Sequence, residues 1–135
     1  MSDRNRNFSH RWFDEVWNKQ NESHIDDFTH PEARSFGFPC ADTALSMEGF
    51  KQAYREFNKT FSGIRVHVDE ELIEGDNIAC RWTASVTHTG EGLDFPATNK
   101  AVTFSGSSFM HLRDGKILEA WNFYDFTSAI RQLRG

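Results

Sequence analysis

The apolar positions change period once along the chain. Phe8, Trp12, Phe13, Val16 and Trp17 recur at helical spacing, which predicts a helix over about residues 4–20 with an aromatic stripe turned inward. Asn21 and Ser23 open a short second helix through Ile25 and Phe28. His30-Pro31 ends it, because the residue before a proline avoids the helical region. Residues 34–45, with Gly37, Pro39 and Asp42, read as irregular. Ser46 is placed as the N-cap of a third helix carrying Phe50, Ala53, Tyr54, Phe57 and Phe61, and Gly63 as its stop.

Past Gly63 the period becomes two. Ile64, Val66 and Val68 alternate with Arg65, His67 and Asp69, and the strand runs on to Leu72 and Ile73. Glu74-Gly75-Asp76-Asn77 is a turn. Ile78, Cys80, Trp82, Ala84 and Val86 then give a long strand one strongly apolar face. Residues 90–99 form a loop or small hairpin, 102–112 a strand, and 117–124 its partner across Arg113-Asp114-Gly115-Lys116. A helix over about 127–133 closes the chain. Helices first and a strand meander afterwards make an α+β pattern, with helices packed on a curved, mostly antiparallel sheet in a single domain spanning residues 1–135.

Composition sharpens this picture. Aromatic residues make up 14% of the chain, including 13 Phe and 4 Trp, enough to fill a core or wall a pocket for a flat organic ligand. The net charge of −5 and the absence of a basic run argue against nucleic acid and against an anionic membrane surface. No apolar stretch approaches a membrane span, and the polar start over residues 1–7 does not resemble a signal peptide, so a cytoplasmic location is expected. Cys40 and Cys80 are then expected to be free thiols. The six His show no paired ligand spacing, and no phosphate-binding loop is present, so neither a metal nor a cofactor is expected.

Several segments resemble the SnoaL-like polyketide cyclases, within the superfamily of nuclear transport factor two-like and ketosteroid isomerase-like folds. They are Phe13-Asp14-Glu15-Val16-Trp17-Asn18, Arg81-Trp82-Thr83, Thr87-His88-Thr89-Gly90, Pro96-Ala97-Thr98-Asn99-Lys100, Asp114-Gly115-Lys116-Ile117, and Glu119-Ala120-Trp121 followed by Asp125. Asn99 stands where a Gly is usual, and Phe109 at a pocket-strand position that can be polar in cyclases. The resemblance implies a cone-shaped fold with a pocket between helices and sheet, and a homodimer through the outer sheet face. It also implies a cofactor-free aldol closure with an aspartate as acid and base, matched by Asp125, and a strand histidine fourteen residues earlier, matched by His111.

The residues support parts of this. Trp121, Phe123 and Asp125 share a strand face. A carboxylate behind two rings is desolvated, and desolvation favours the protonated form needed to return a proton; the handling of an aspartate base in an apolar site by ketosteroid isomerase is the established precedent. The plain alternative is that Asp125 caps the following helix. The side of His111 depends on the hairpin. A two-residue Asp114-Gly115 turn faces it away from Asp125; a three-residue loop with a Gly115 bulge, the form favoured here, puts it on the same face. His88, in phase with the apolar face of its strand, is a candidate donor to a substrate carbonyl or enolate. Arg81 lies on the opposite phase, where an ion pair with Asp69 or Glu71 is expected. Trp12, Trp17, Tyr54, Phe57, Phe61, Trp82, Phe109, Trp121 and Phe123 are the candidate walls for an apolar or aromatic small-molecule substrate.

The leading expectation is thus a cofactor-independent cyclase or isomerase in which Asp125 moves a proton beside a carbonyl, with His88 or His111 holding the enolate. The alternatives are a non-catalytic small-molecule binding protein, favoured if Asp125 is tied up in a cap, and an epoxide hydrolase-like enzyme, which needs a second carboxylate and a cation beside Asp125.

Overall fold

The computed structural model describes residues 5–37 and 44–135. Cys40, Pro39, Asp42 and the expected helix start at Arg4 lie outside the described residues. Helix α1 spans Phe8–Trp12 and continues as a π-helical stretch over Phe13–Asn18. The wider turn keeps Phe13 and Val16 both buried. A 3-10 turn at Glu22–His24 leads into α2, Ile25–Phe28.

The chain then does what its pattern did not suggest. Strand β1, Thr29–Phe36, runs through Pro31 and into the stretch expected to be irregular. Proline is tolerated there because β1 is an edge strand. Its register against the sheet shifts between Thr29 and Arg34, so a pattern of period two never shows.

Helix α3, Met47–Thr60, starts as expected, with Ser46 Oγ accepting from the Gly49 N–H at 3.1 Å. Gly63 is not its stop. Strand β2, Phe61–Glu74, begins directly at the helix end, and Gly63 sits inside it with φ of 63° at a register shift. A second shift falls between Val68 and Glu70. Each bulge bends the strand and turns its later side chains over, which curves the sheet around the helices. Strands β3 (Asn77–His88), β4 (Ala101–Arg113) and β5 (Lys116–Tyr124) follow, then α4, Phe126–Arg134. Residues 90–99 form a loop.

The sheet order is β1-β5-β4-β3-β2, antiparallel except for β1 with β5. With the helices on its inner face, this is the α+β cone expected. The β4–β5 hairpin corrects the favoured register. Arg113 pairs with Lys116, so the turn is the two-residue Asp114-Gly115 form, and both residues have positive φ, 54° and 79°. A bulge one step further in sets Leu112 opposite Ile117 but His111 opposite Glu119, leaving Leu118 as the extra residue. That single residue reverses the phase of the rest of β5.

Two polar side chains fasten the N-terminal helix to the curved strand. The second β2 bulge turns Glu71 inward, where its carboxylate accepts from the backbone N–H groups of Asn7 (3.0 Å) and Ser9 (2.7 Å) at the start of α1. The Asn18 amide at the helix end donates to the Val66 carbonyl (3.0 Å) and accepts from the Val66 N–H (2.6 Å). Among the described residues, no helix is long and apolar enough to cross a membrane.

Candidate functional site

Between the first helix, α3 and the inner face of the sheet lies a cavity of about 100 Å³. A single water needs roughly 10–15 Å³ on the same measure, so the space suits an organic molecule. Trp12, Trp17, Phe57 and Trp82, all expected as walls, line it. So do Phe13, Phe50, Phe104 and Tyr124, whose roles the sequence left unassigned. The rings brace one another: Trp17 meets Tyr54 at 4.9 Å and Phe57 at 5.7 Å edge-on, and Trp82 sits 5.8 Å from Phe13 and 5.9 Å from Tyr124. Tyr54 and Phe61 do not line the cavity; they back Trp17 and Phe57 from behind. Burial pushes the Tyr54 phenol up, so it stays protonated and donates to the Val16 carbonyl at 2.7 Å.

The polar atoms of the cavity are few and ordered. The Trp82 indole N–H donates to Ser108 Oγ at 3.1 Å, and Ser108 Oγ lies 2.9 Å from Asn122 Oδ1. Asn122 Nδ2 donates to the Phe36 carbonyl at 3.0 Å, which ties β5 to the end of β1. Thr29 is buried, and its hydroxyl has no partner among the described residues. Ser35 and the Tyr124 phenol complete the polar set. Among the described residues, the lining holds no Asp, Glu, His, Lys or Arg.

The residues expected to do chemistry stand elsewhere. Trp121, Phe123 and Asp125 share a face, as alternation requires, but it is the outer one. Asp125 is exposed, and its Oδ1 accepts from the Ser128 N–H at 3.0 Å as the N-cap of α4. His111 is also outside, 4.9 Å from the Trp121 ring and 3.4 Å from Glu119 Oε1. Asp125 follows the far end of β5, about 20 Å from Glu119 at a strand rise of ~3.3 Å per residue; His111 and Asp125 do not meet. Phe109 and Phe123 pack edge-to-face on the same outer surface, 49% and 57% exposed. Arg81 is outside too, paired with Glu70 at 3.2 Å rather than with Asp69 or Glu71.

His88 is inward and fully buried, yet behind the lining. The Thr98 N–H donates to its Nδ1 at 3.2 Å, so the neutral ring carries its proton on Nε2. Phe61 and Phe95 flank it, and Nε2 has no partner among the described residues. Its visible work is to hold the 90–99 loop. Cys80 is a buried free thiol on the inner face of β3, pushed up by burial. No cluster of described residues could hold a metal ion.

The match to known proteins agrees with the geometry. The family model described as SnoaL-like polyketide cyclase matches residues 9–133. The chain belongs to that family. Among solved structures, a SnoaL-like polyketide cyclase of Jannaschia sp. CCS1 superposes with a TM-score of 0.85 at 22% identity, covering 96% of this chain and 91% of that one. IdmH of Streptomyces antibioticus, named a polyketide cyclase, gives 0.79 at 22%, covering 91% and 94%. AclR of Streptomyces galilaeus, named a hydroxylase, gives 0.78 at 23%, covering 88% and 87%. At these identities the likeness establishes the fold. No curated protein matches the chain. Within this SnoaL-like frame, the resemblance pointed to a site pair fourteen residues apart. Among the described residues, the polar pair that lines the cavity at that separation is Ser108 and Asn122, directly opposed across β4 and β5.

Proposed function

We propose that this SnoaL-like protein takes the enol form of an apolar, carbonyl-bearing small molecule into the cone and promotes a cofactor-independent aldol cyclisation by folding it there: the enol carbon bonds to the second carbonyl carbon, and the enol O–H proton passes to that carbonyl's oxygen, so no carboxylate base is needed in the cavity. The observation that carries this reading is the lining itself, built mainly of aromatic and aliphatic side chains and, among the described residues, free of any carboxylate or imidazole. Rigid walls that hold two reacting carbons of one chain in contact convert a flexible closure into a near-attack geometry, and this lowers the entropic part of the barrier. Asp125 acts in this reading as a helix cap, in keeping with its bond to the Ser128 N–H.

The test uses an aryl-substituted 1,5-diketone whose aldol closure is followed by absorbance. Faster closure with wild type, retained by Asp125→Asn, is the expected result. Loss of closure in Asp125→Asn with unchanged ligand binding would sink the reading. Tight binding with no acceleration for either protein would favour the second reading, a non-catalytic binding protein, which the cap role of Asp125 also favours.

The outer sheet face is proposed as the contact for a second copy of the chain. Leu72, Ala79, Phe109, Trp121 and Phe36 form one cross-strand row over all five strands. It is flanked by the Glu70–Arg81 and His111–Glu119 pairs. An apolar stripe with charged margins of both signs suits a self-complementary two-fold contact. Light scattering should report a dimer that Phe109→Lys dissociates; a monomeric wild type at millimolar concentration removes the proposal.

A further inference from the structure

The polar chain at the inner face fixes which end of the Asn122 amide points where, and we infer that it makes Asn122 a dedicated hydrogen-bond donor that selects ligands carrying a neutral acceptor oxygen. This rests on the cavity being the binding site.

The Trp82 indole N–H can only donate, so Ser108 Oγ accepts from it. The Ser108 hydroxyl hydrogen is then free for its other neighbour, 2.9 Å away on Asn122, and that neighbour must be the amide oxygen. Were the amide turned over, its NH2 would face the hydroxyl, and its oxygen would face the Phe36 carbonyl, a second acceptor, at 3.0 Å. Donor and acceptor are therefore assigned by the fold from Trp82 outward. Asn122 Nδ2 carries two hydrogens, and the Phe36 carbonyl takes one. The second belongs to a side chain that lines the cavity.

An amide N–H in apolar surroundings costs free energy until it is paired. A ketone, ester or amide carbonyl on the ligand supplies the partner. A carboxylate is disfavoured, because the described lining offers no cation to offset its desolvation. A hydrocarbon of the same shape fills the cavity but leaves the donor unmet. Asn122 is thus a specificity-determining residue, and Ser108 and Trp82 are positioning residues that act through it.

The experiment uses two isosteric probes, 2-acetylnaphthalene and 2-isopropenylnaphthalene, with binding read from tryptophan fluorescence. The bound ketone, labelled with carbon-13 at its carbonyl, is also examined by infrared difference spectroscopy. Wild type is expected to prefer the ketone by about 3- to 10-fold, the scale of one net hydrogen bond, and to lower its carbonyl stretch relative to hexane. Asn122→Leu should bind the two probes alike and leave the stretch unshifted. Ser108→Ala, which frees the amide to rotate, should retain binding with a reduced preference. An unshifted stretch in the wild-type complex overturns the inference without help from any variant, and so does a shift that persists in Asn122→Leu. Failure of wild type to bind either probe instead overturns the proposed use of the cavity, and the inference falls with it.

Discussion

The two faces of the sheet carry similar numbers of rings and opposite chemistry. The inner face meets Trp82, Phe104 and Tyr124 with one neutral hydrogen-bonded chain and, among the described residues lining the cavity, no formal charge. The outer face sets Phe109, Trp121 and Phe123 among Arg81, Glu70, His111, Glu119 and Asp125. Rings alone do not mark a pocket. What separates the faces is where charge can stay hydrated, and every ionisable residue that the sequence nominated for catalysis except His88 sits where water reaches it.

The contrast can be broken most severely at Trp82, which packs against Phe13, Phe104 and Tyr124 and anchors the polar chain. Trp82→Ala is expected to cost about 3–5 kcal/mol in urea denaturation, whereas Phe123→Ala on the outer face in dilute protein should cost under about 1 kcal/mol. Equal losses would mean that the faces do not differ in packing. The next effect is smaller. Asp125→Ala removes the cap of α4 and should cost about 1 kcal/mol, with unchanged affinity for an aromatic ketone in the cavity. A drop in that affinity would place Asp125 functionally inside.

The weakest effect belongs to the surface. Hydrogen bonds from Arg55 hold the Glu22 carboxyl below its usual range. A depressed folded-state value means the contribution is present above the unfolded carboxylate's titration, near pH 4 to 5, and is lost as pH falls through the folded value. Wild type should therefore melt slightly higher than Glu22→Gln at pH 7 and equally at pH 2, and 1 M salt should shrink the gap. A gap that survives at pH 2 would refer the difference to something other than this ion pair.

Much of the fold was legible because some segments carry one unambiguous signal. The alternation from Ile78 to His88 matches its burial residue by residue, and Ser46 caps the helix it was placed on. The site was harder for a physical reason. Along β5, rings stand on both faces, Trp121 and Phe123 on one and Tyr124 on the other, so hydrophobic period alone cannot say which set is inside. The missing clue was Glu119, a charge in phase with Trp121 and Phe123, which turns that whole set outward. The Leu118 bulge offsets the two-residue turn, so His111 does share the phase of Trp121 and Phe123 as expected, but that phase is the outer one. Strand β1 was invisible because its irregular register lets Pro31 and the polar residues around it occupy a strand without alternating.

The Asn18 amide has a consequence beyond fastening a helix. Strand β2 ends the sheet, and a strand at a sheet margin offers its backbone to any extended chain that drifts by. At Val66 both the N–H and the C=O are already taken by one side chain that imitates a peptide group. A foreign strand meets a closed row at that point, so this stretch of the β2 margin is protected from the intermolecular pairing that starts aggregation.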